Sequence, residues 1–365
     1  MEALPAADLN AQIAGLLRDL AAIQAVKAKS FGYKRAASAV FWLPRQIDQL
    51  REDGAWPKIP GLGPASMRVV AEVVATGESP TVERAVAGSG KQIDIDRRRS
   101  LRQRFLSRAE VLRVLSDPAI DGIERSAYRA DFQMHSEWSD GAVPLSVLAR
   151  ACAARGYTHS AITDHAKGLP IAGGLSMASV AAQHEEIDRL NAEHSDFYVL
   201  KGIEANISAD GALDLDDEER AAFDLVLAAP HSKLRIAADQ TDRLLRVLDT
   251  PNVHILAHPR GRIMGTRAGV MADWDRVFAR AAERLVAIEI DGDPARQDLD
   301  YELAARARVA GCIFALDSDA HAPDQLVYAE TAIAHARLAG IPASRIVNCW
   351  PLEKLRAWMR GLGSR

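Results

Sequence analysis

Single histidines and carboxylates recur at the ends of short apolar runs from residue 128 onward. These polar ends are DFQMH at 131–135, Asp140, TDH at 163–165, GIE at 202–204, APH at 229–231, AHP at 257–259 and DSDAH at 317–321. In a barrel of parallel strands, the carboxyl ends of the strands meet at one mouth. We therefore expect these side chains to bring nitrogen and oxygen ligands to one multi-metal hydrolytic site.

The same residues alternate between strand-like and helical patterns. The strand-like runs are SAITD (160–164), FYVLKGIE (197–204), FDLVLAAP (223–230), VHILAH (253–258), LVAIEI (285–290) and CIFALD (312–317). Amphipathic helical patterns lie between them, at 143–155, 180–193, 241–249, 274–283 and 301–310. This alternation predicts an α/β fold with a parallel sheet, and about seven such units predict a TIM-like barrel.

The residue types in the series indicate which metals are expected. Neutral imidazoles and carboxylates suit Zn²⁺, Mn²⁺ or Fe²⁺, whereas three scattered cysteines without a CxxC pair argue against a thiolate zinc site and favour a reducing compartment. We expect Glu204 to bridge two ions, and Asp164 either to bind an ion or to orient His165. A lone histidine at a strand end is more often structural, so the metal prediction depends on the whole series.

This ligand series resembles the PHP (polymerase and histidinol phosphatase) domain. The resemblance implies a distorted seven-stranded (β/α) TIM-like barrel that holds two to three divalent ions, Mn²⁺ or Zn²⁺, with Fe²⁺ as a further option. The nine implied metal ligands are Gln133, His135, Asp140, His165, Glu204, His231, His258, Asp319 and His321. Glu204, Asp319 and His321 are the implied catalytic residues.

The resemblance also implies how the ligands divide among three ions. The implied sets are His135, Glu204 and Asp319 for one ion, Asp140, His165 and His321 for a second, and His231, His258 and the bridging Glu204 for a third. Gln133 is the one departure, because the family usually has histidine there. An amide oxygen is a weaker and harder ligand than imidazole and suits Mn²⁺ better than Zn²⁺. This departure falls at the first of the three implied metal positions.

The motifs around the ligands resemble the PHP domain at the C-terminus of bacterial family X DNA polymerases. These motifs are DFQMHSEWSDG, TDHAKGL, GIEANI, ILAHPRGR and DSDAH. Cations close to the ligands are candidate contacts for substrate phosphates, namely Lys167, Lys233, Arg260, Arg262 and Arg267. The alternative for these five is a solvated rim with no binding role.

Residues 8–80 resemble the small helical domain at the N-terminus of family X polymerases. Helical periodicity covers 8–53, with one pattern running from Ala36 to Leu50, and a further helix is expected from Pro64 to a cap at Gly77. The motifs FGYKRAASAV (31–40) and IPGLG (59–63) carry the resemblance.

The turn IPGLG implies a helix-hairpin-helix DNA-binding element. Such a turn presents backbone N–H groups to a DNA phosphate without reading the base sequence, here around Gly61, Gly63 and Ala65. The alternative is a glycine-rich turn that only packs two helices together.

Two activities of family X polymerases are not expected. The helical segment PASMRVVAEVV (64–74) has no lysine to serve as the Schiff-base residue of a deoxyribose-phosphate lyase. Too few residues separate Thr81 from Tyr128 for a polymerase palm and thumb. The predicted organisation is a helix-hairpin-helix DNA-binding domain at 1–84, a linker with an arginine-rich helix at 85–127, and a PHP domain at 128–365.

Charge divides unevenly along the chain. Residues 1–127 carry 19 Lys and Arg against 15 Asp and Glu, and the remaining residues carry 26 against 34. Part of the basic excess is an arginine cluster at 97–108, which is either a phosphate-binding patch or a solvated helix face. An acidic, histidine-rich domain suits cations, whereas a mildly basic one suits a polyanion.

These observations predict a metal-dependent phosphoesterase that acts on DNA, as a 3′–5′ exonuclease or 3′-end-processing enzyme in DNA repair. DNA is the expected partner, bound without sequence specificity. Two alternatives are a small-molecule phosphomonoesterase and a DNA-binding repair module with a degraded metal site. No apolar run is long enough to span a membrane and no secretory signal is visible, so we expect a cytoplasmic protein without a membrane partner.

Overall fold

The computed structural model describes residues 8–52, 56–193 and 196–363, and it divides into two compact units. The first unit ends at Asp117 and includes Met264–Thr266, and the second comprises Pro118–Ile263 together with the residues from Arg267 onward. The segment predicted as a linker, 85–127, is therefore shared between the two units.

The first unit is built from α-helices. Its described helices are α1 (Leu9–Ile23), α2 (Lys27–Phe41), α3 (Pro64–Thr76), α4 (Pro80–Ser89), α5 (Gln92–Ser100) and α6 (Arg108–Ser116). The apolar faces of α1 to α5 share one core that includes Ile13, Leu17, Val40 and Val69. Helix α3 has proline at its first position and the left-handed Gly77 as its cap, as predicted.

The helical pattern that was expected to continue to Leu50 ends earlier, so this prediction is wrong. Helix α2 stops at Phe41, and only a short 3₁₀ helix, Ile47–Leu50, follows it. Pro44 explains the break, because proline has no N–H to donate and restricts the residue before it to extended backbone. A 3₁₀ turn thus precedes the 59–63 turn in the described residues, and the helix-hairpin-helix assignment stays a prediction.

The second unit is an α/β domain around a parallel sheet. Its strands are β1 (His159–Ile162), β2 (Tyr198–Asn206), β3 (Leu225–Ala229), β4 (Ile255–Leu256), β5 (Ala287–Asp291) and β6 (Phe314–Asp317). The strands pair in parallel in sequence order, β1 to β6. All six were predicted, and most of their residues are buried, which accounts for their nearly continuous apolar sequences.

Helices connect and flank these strands. They are α7 (Leu145–Ala154), α8 (Met177–Glu193), α9 (Asp217–Ala221), α10 (Thr241–Leu248), α11 (Trp274–Arg284), α12 (Tyr301–Ala310), α13 (Ala329–Leu338) and α14 (Leu352–Gly363). The five helices predicted between the strands are confirmed with small shifts at their ends. Among the described residues, no helix has both the length and the apolar character needed to cross a membrane.

The expected seventh strand is not assigned among the described residues, but residues 129–135 occupy the corresponding place. The Ala161 N–H of β1 donates to Asp131 O (3.0 Å), and the His135 N–H donates to Ala320 O (2.9 Å), just beyond β6. This segment thus contacts both edges of the sheet. It carries Gln133 and His135 into the space at the carboxyl ends of the strands.

Candidate metal centre

Glu204, near the end of β2, is the hub of the predicted ligands and is fully buried. Its Oε1 lies 2.8 Å from His258 Nε2, 3.5 Å from His231 Nε2 and 3.1 Å from Gln133 Nε2. Its Oε2 lies 2.7 Å from His165 Nδ1. One carboxylate therefore faces side chains from three strand ends and from the 129–135 segment, as expected of a residue that bridges ions.

Asp140 is the focus of a second group of ligands. Its Oδ1 lies 3.5 Å from His165 Nε2, 3.4 Å from His321 Nε2 and 4.0 Å from His135 Nδ1. The His135 ring stacks between the rings of His165 and His321, with centroid separations of 4.3 and 4.4 Å. His165 contacts both carboxylates, so the two groups form one continuous centre.

Two clusters have ligand atoms close enough to hold a metal ion. One consists of His135, Asp140, His165 and His321, and the other of His165, Glu204 and His231. Asp319 completes the nine, because its Oδ1 lies 3.2 Å from His135 Nε2. All nine predicted ligands therefore meet in one place. Which ligand serves which ion stays a prediction.

Unsatisfied buried atoms show that the donor set fits divalent cations. Glu204 Oε2 and His165 Nδ1 approach closely, yet neither makes a hydrogen bond of acceptable geometry in the described structure. Gln133 Oε1 also lacks a hydrogen-bond partner there, while its amide nitrogen donates to Glu204. Buried polar atoms are normally hydrogen-bonded. An ion between these atoms would supply the missing interaction.

Hydrogen bonds orient two of the imidazoles toward the centre. His231 Nδ1 lies 2.6 Å from Asn206 Oδ1, and His321 Nδ1 lies 2.9 Å from the Asp319 carbonyl oxygen. A proton on each Nδ1 leaves the Nε2 lone pair facing the carboxylates, which is the usual arrangement for a metal-binding histidine. Asn206 was not predicted from the sequence, although it lies only two residues after Glu204.

The electrostatics of the centre favour cations. Burial disfavours a charged imidazole, but Glu204 and Asp140 outweigh burial and raise the pKa of His165 to about 10. Asp140 and Asp319 likewise overcome burial and raise the pKa of His321 to about 9. Although burial opposes the charged form of Glu204, His231 and His165 hold the pKa of this carboxyl well below its usual range. Protons on imidazoles thus balance the carboxylates when metal is absent.

The backbone of two ligands lies in the left-handed region. His258 has φ of 25° and Asp319 has φ of 52°. This conformation costs free energy for residues other than glycine and is typical of functional sites. The buried Glu289 accepts the backbone N–H of His258 and holds the turn in place.

Asp164 fixes the loop between His135 and Asp140, and its carboxylate oxygens are occupied by hydrogen bonds. Its carboxylate accepts from the Ser136 N–H (2.7 Å) and from the Ser136, Ser139 and Gln183 side chains. Gly141 completes this loop, since a Cβ there would lie 2.1 Å from the His135 carbonyl oxygen. Asp164 thereby positions Asp140 and the backbone at His135, a different role from the orientation of His165 that was one alternative.

Two of the predicted phosphate contacts, Arg260 and Arg262, are occupied by structural partners. Arg260 is mostly buried and forms ion pairs with Asp298 (2.9 Å) and Asp300 (2.7 Å). Arg262 contacts Asp300 (3.3 Å) and the Gln297 carbonyl oxygen. Sequence alone could not reveal these partners, which lie more than 30 positions away.

Lys167 and Lys233 lie on exposed loops that follow ligand-bearing strand ends. Lys167 pairs with Glu219 at the first turn of α9. Lys233 has left-handed backbone, with φ of 60°, and its carbonyl oxygen accepts from the Gln240 amide. Both lysines thus lie in loops at the carboxyl ends of β1 and β3. Their contact with substrate phosphate stays a prediction.

Arg267 belongs to a small group of arginines beside the centre. Burial, followed by the charges of Arg296 and Arg235, lowers the pKa of Arg267 to about 10. Arg296 reaches the ligands themselves, with Nε 3.2 Å from Asp319 Oδ2. Arg296 was missed in the sequence, although it follows the β5 end in the loop DGDPARQD, where the strand-end rule applies.

The first unit contains the predicted DNA-contacting turn and the arginine cluster. Gly61 has φ of 91°, and Gly63, Pro64 and Ala65 are exposed at the start of α3. The first N–H groups of a helix have no partner within it, and Ala65, the second residue of α3, carries one of these N–H groups.

The arginine cluster is largely neutralised within the first unit. Arg99 and Arg102 pair with the buried Asp19 at 2.7 and 2.5 Å. Arg97 and Arg98 pair with Asp94 on the same helix. These ion pairs favour the structural interpretation over a phosphate-binding patch.

Known proteins of similar sequence include a polymerase/exonuclease and a probable phosphatase. The DNA polymerase/3′-5′ exonuclease PolX of Bacillus subtilis is 37% identical over 243 residues, which cover 66% of this chain and 43% of that protein. The protein named Probable phosphatase YcdX of Escherichia coli K12 is 30% identical over 171 residues, covering 43% of this chain and 66% of that protein. This chain is a relative of the PHP phosphoesterases and resembles PolX.

One solved structure is similar to this chain, and both relatives are longer than the matched region. A solved structure of histidinol phosphate phosphatase from Lactococcus lactis, complexed with zinc, L-histidinol and phosphate, covers 59% of this chain and 94% of that one, at 17% identity and a TM-score of 0.44. No family model matches the chain. The PHP chain described here spans less than half of the B. subtilis relative and about two thirds of the E. coli one.

Proposed function

We propose that the second unit is a metal-dependent phosphoesterase that hydrolyses phosphate esters at DNA 3′ ends, as a 3′–5′ exonuclease or 3′-end-processing enzyme in DNA repair. The observation that carries this proposal is the convergence of nine potential ligands around Glu204, with buried ligand atoms unsatisfied. In a purely structural cluster, the buried Glu204 Oε2, His165 Nδ1 and Gln133 Oε1 would have hydrogen-bond partners.

The two clusters, which share His165, would hold two ions, and Asp319 with His135 offers a third position. Bound divalent ions at such a centre supply Lewis-acid catalysis and a nucleophilic water at neutral pH. Mn²⁺ and Zn²⁺ both suit imidazole and carboxylate donors, and Fe²⁺ is a further option. Gln133 provides an amide oxygen where imidazole is usual, which favours the harder Mn²⁺ at that position.

Arginines beside the centre would bind and orient the phosphate. Arg267, Arg296 and Arg235 place like charges together, and guanidinium groups bind phosphate oxygens in a bidentate manner. Arg296 also holds Asp319, which fixes one edge of the centre. Lys167 and Lys233 stand further out on the loops and would meet the next phosphates of a bound strand.

DNA is the proposed substrate for two reasons. The B. subtilis relative is named as a DNA polymerase and 3′–5′ exonuclease. The first unit carries an exposed glycine turn at the start of α3, a backbone arrangement that binds phosphates without reading bases. Lyase and polymerase activities are not proposed.

The experiment that tests this proposal is a cleavage assay with the full chain. Labelled single-stranded and gapped DNA, with 3′-hydroxyl or 3′-phosphate ends, would be incubated with protein loaded with Mn²⁺ or Zn²⁺. We expect products shortened from the 3′ end, or loss of the 3′-phosphate, and none from Asp319→Asn protein of equal purity. Absence of hydrolysis with every metal and every DNA would refute the proposal.

A second candidate function is a small-molecule phosphomonoesterase, which the phosphatase name of the E. coli relative favours. Phosphate release from small monoesters at a much higher kcat/KM than from DNA would select this function. A third candidate, a DNA-binding repair module with a degraded metal site, depends on Gln133 alone. Less than about one bound metal ion per chain, with DNA binding and no hydrolysis, would select it.

A further inference from the structure

Asp214 joins two loops beside the metal centre through its single carboxylate. Its Oδ1 accepts the Asn206 backbone N–H at 2.8 Å, and its Oδ2 accepts the Asn206 amide Nδ2 at 2.6 Å and the Gly168 N–H at 2.7 Å. Asn206 ends β2, and Gly168 lies three residues after the ligand His165. The Gly168 contact requires glycine, because a Cβ there would overlap the Asp214 carboxylate. The carboxylate is thus held against the backbone of both loops.

The segment that carries Asp214 is also fixed to the next ligand along the chain. Residues 206–214 form a short antiparallel hairpin beyond β2. Arg243, buried on α10, donates to the Ser208 carbonyl oxygen in this hairpin at 2.7 Å and to the Ser232 carbonyl oxygen at 3.0 Å. Ser232 follows the ligand His231 directly. The hairpin and the segment that bears His231 are therefore held together by one guanidinium group.

The Asp214 carboxylate determines the orientation of the Asn206 amide. An ionised carboxylate only accepts hydrogen bonds, so the end of the amide that faces it must be the NH2 group. The amide oxygen then faces the opposite way, and Asn206 Oδ1 lies 2.6 Å from His231 Nδ1. This oxygen only accepts, so His231 must donate a proton from Nδ1. Its other nitrogen, Nε2, lies 3.5 Å from Glu204 Oε1 and keeps a lone pair for a metal ion.

A reversed Asn206 amide would have the opposite effect on the ring. Its NH2 group would face His231 Nδ1, which would then have to accept, and the proton of the neutral imidazole would lie on Nε2. That proton would occupy the position at which a metal ion binds. The two ends of an amide are similar in size, so shape alone does not prevent the reversal. The charge of Asp214 prevents it.

We propose that Asp214 is a positioning residue of the metal centre, because it fixes the Asn206 amide and thereby leaves His231 Nε2 free to bind a metal ion. The inference rests on the proposed function in one respect, namely that the centre binds a divalent ion. It adds a residue that acts through two other side chains, from a hairpin beyond the strand end. Loss of such an outer partner of a metal-binding histidine costs about 10- to 100-fold in affinity.

A double-substitution cycle tests this order of hydrogen bonds. Asp214→Asn keeps the size of the side chain but lets an NH2 group face Asn206, which permits the reversal. We expect the affinity of the metal-free protein for Zn²⁺, measured by isothermal titration, to fall about 10-fold. In an Asn206→Asp background the side chain at 206 can only accept, so Asp214→Asn should there leave the affinity unchanged or raise it. An equal loss in both backgrounds would overturn the inference, since Asp214 would then only support the loop.

The ring of His231 provides a readout that needs neither metal nor substrate. Nitrogen NMR of isotope-labelled histidines distinguishes a proton on Nδ1 from one on Nε2 in the neutral ring, and loss of a signal in His231→Ala assigns it. We expect the Nδ1–H form in the metal-free wild type and a shift toward the Nε2–H form in Asp214→Asn. The same tautomer in both proteins would overturn the inference.

Asp210→Asn is the matched control, because it makes the same chemical change in the same hairpin. Asp210 is exposed, accepts the Ala212 N–H at 3.3 Å and pairs with Arg246 at 3.2 Å, so its contacts lie away from Asn206. We expect wild-type affinity and tautomer in this variant, and equal effects of the two substitutions would contradict the role of Asp214. Wild-type protein that binds Zn²⁺ without hydrolysing DNA would refute the proposed function, whereas affinity and tautomer would still test Asp214.

Discussion

Each unit has a cluster of charged residues for which the sequence suggests a binding role. The two clusters have different surroundings in the structure. In the first unit, the arginines at 97–102 meet carboxylates at hydrogen-bond distance, and Asp19 is completely buried between Arg99 and Arg102. In the second unit, imidazoles and carboxylates lie as close as 2.7 Å, yet Glu204 Oε2, His165 Nδ1 and Gln133 Oε1 make no hydrogen bond in the described structure. Charge that is matched internally stabilises a fold, whereas ligand atoms left unmatched in a buried centre mark a binding site.

The largest expected effect is that of Glu204→Gln on the metal centre. Removal of this charge takes away a ligand of one metal-binding cluster, and with it the carboxylate that lies 2.7 Å from His165, the residue shared by both clusters. Mutation of a residue that only hydrogen-bonds to a metal ligand costs about 10- to 100-fold in metal affinity or activity. Loss of a ligand itself should therefore lower both by at least about 100-fold. Metal content by mass spectrometry and phosphate release measure this effect. Wild-type metal content in the variant would contradict the assignment of Glu204 as the hub.

Asp19→Ala tests the structural cluster in the same manner. Loss of the buried carboxylate leaves Arg99 and Arg102 without their shared partner, and breaking a buried ion pair costs about 3 kcal/mol of unfolding free energy. Asp94→Ala is the control, because its pairs with Arg97 and Arg98 are exposed and worth less than about 1 kcal/mol. Urea unfolding measures both. A large loss of DNA binding by Asp19→Ala with no loss of stability would reverse the structural interpretation.

Gln133→His tests whether the unsatisfied amide oxygen of Gln133 is a metal ligand. An imidazole here should raise the affinity for Zn²⁺ by about 10-fold, since borderline-soft metals prefer nitrogen to an amide oxygen. Gln133→Leu is the companion variant, and it should lower Mn²⁺ affinity if the amide oxygen is a ligand. Isothermal titration of metal-free protein gives both values. Unchanged affinities in both variants would remove Gln133 from the ligand set.

A further expected effect is the pH dependence of metal affinity. His165 and His321, with pKa values of about 10 and 9, hold protons at neutral pH in the metal-free protein. A metal ion must displace these protons, so affinity should rise as pH increases from 7 toward 9, by up to about 10-fold per pH unit for each displaced proton. His321→Ala should lessen the slope. A slope of zero in the wild-type protein would show that these imidazoles do not bind the ion.

The sequence allowed much of the second unit to be predicted because its signal is local. Each strand is a short apolar run, and each ligand follows it at the carboxyl end, where parallel strands converge. This rule placed His165, Glu204 and His258 in one centre without knowledge of any distance. Applied to the loop after β5, the same rule would also have found Arg296.

What the sequence could not provide are partners distant along the chain. Asp19 lies 80 positions from Arg99, and Asp298 lies 38 positions from Arg260. Whether an arginine contacts a phosphate or a buried carboxylate depends on which residues the fold brings opposite it. The early end of α2 is a different case, since Pro44 is a local signal that the helical periodicity outweighed.

The left-handed backbone at His258 and Asp319 is a local cost carried by two of the ligands. A glycine would adopt the same conformation with less strain. It would also remove the contact of His258 with Glu204 and that of Asp319 with Arg296. The strain at these two turns can therefore be relieved only by giving up the side chains that the centre uses.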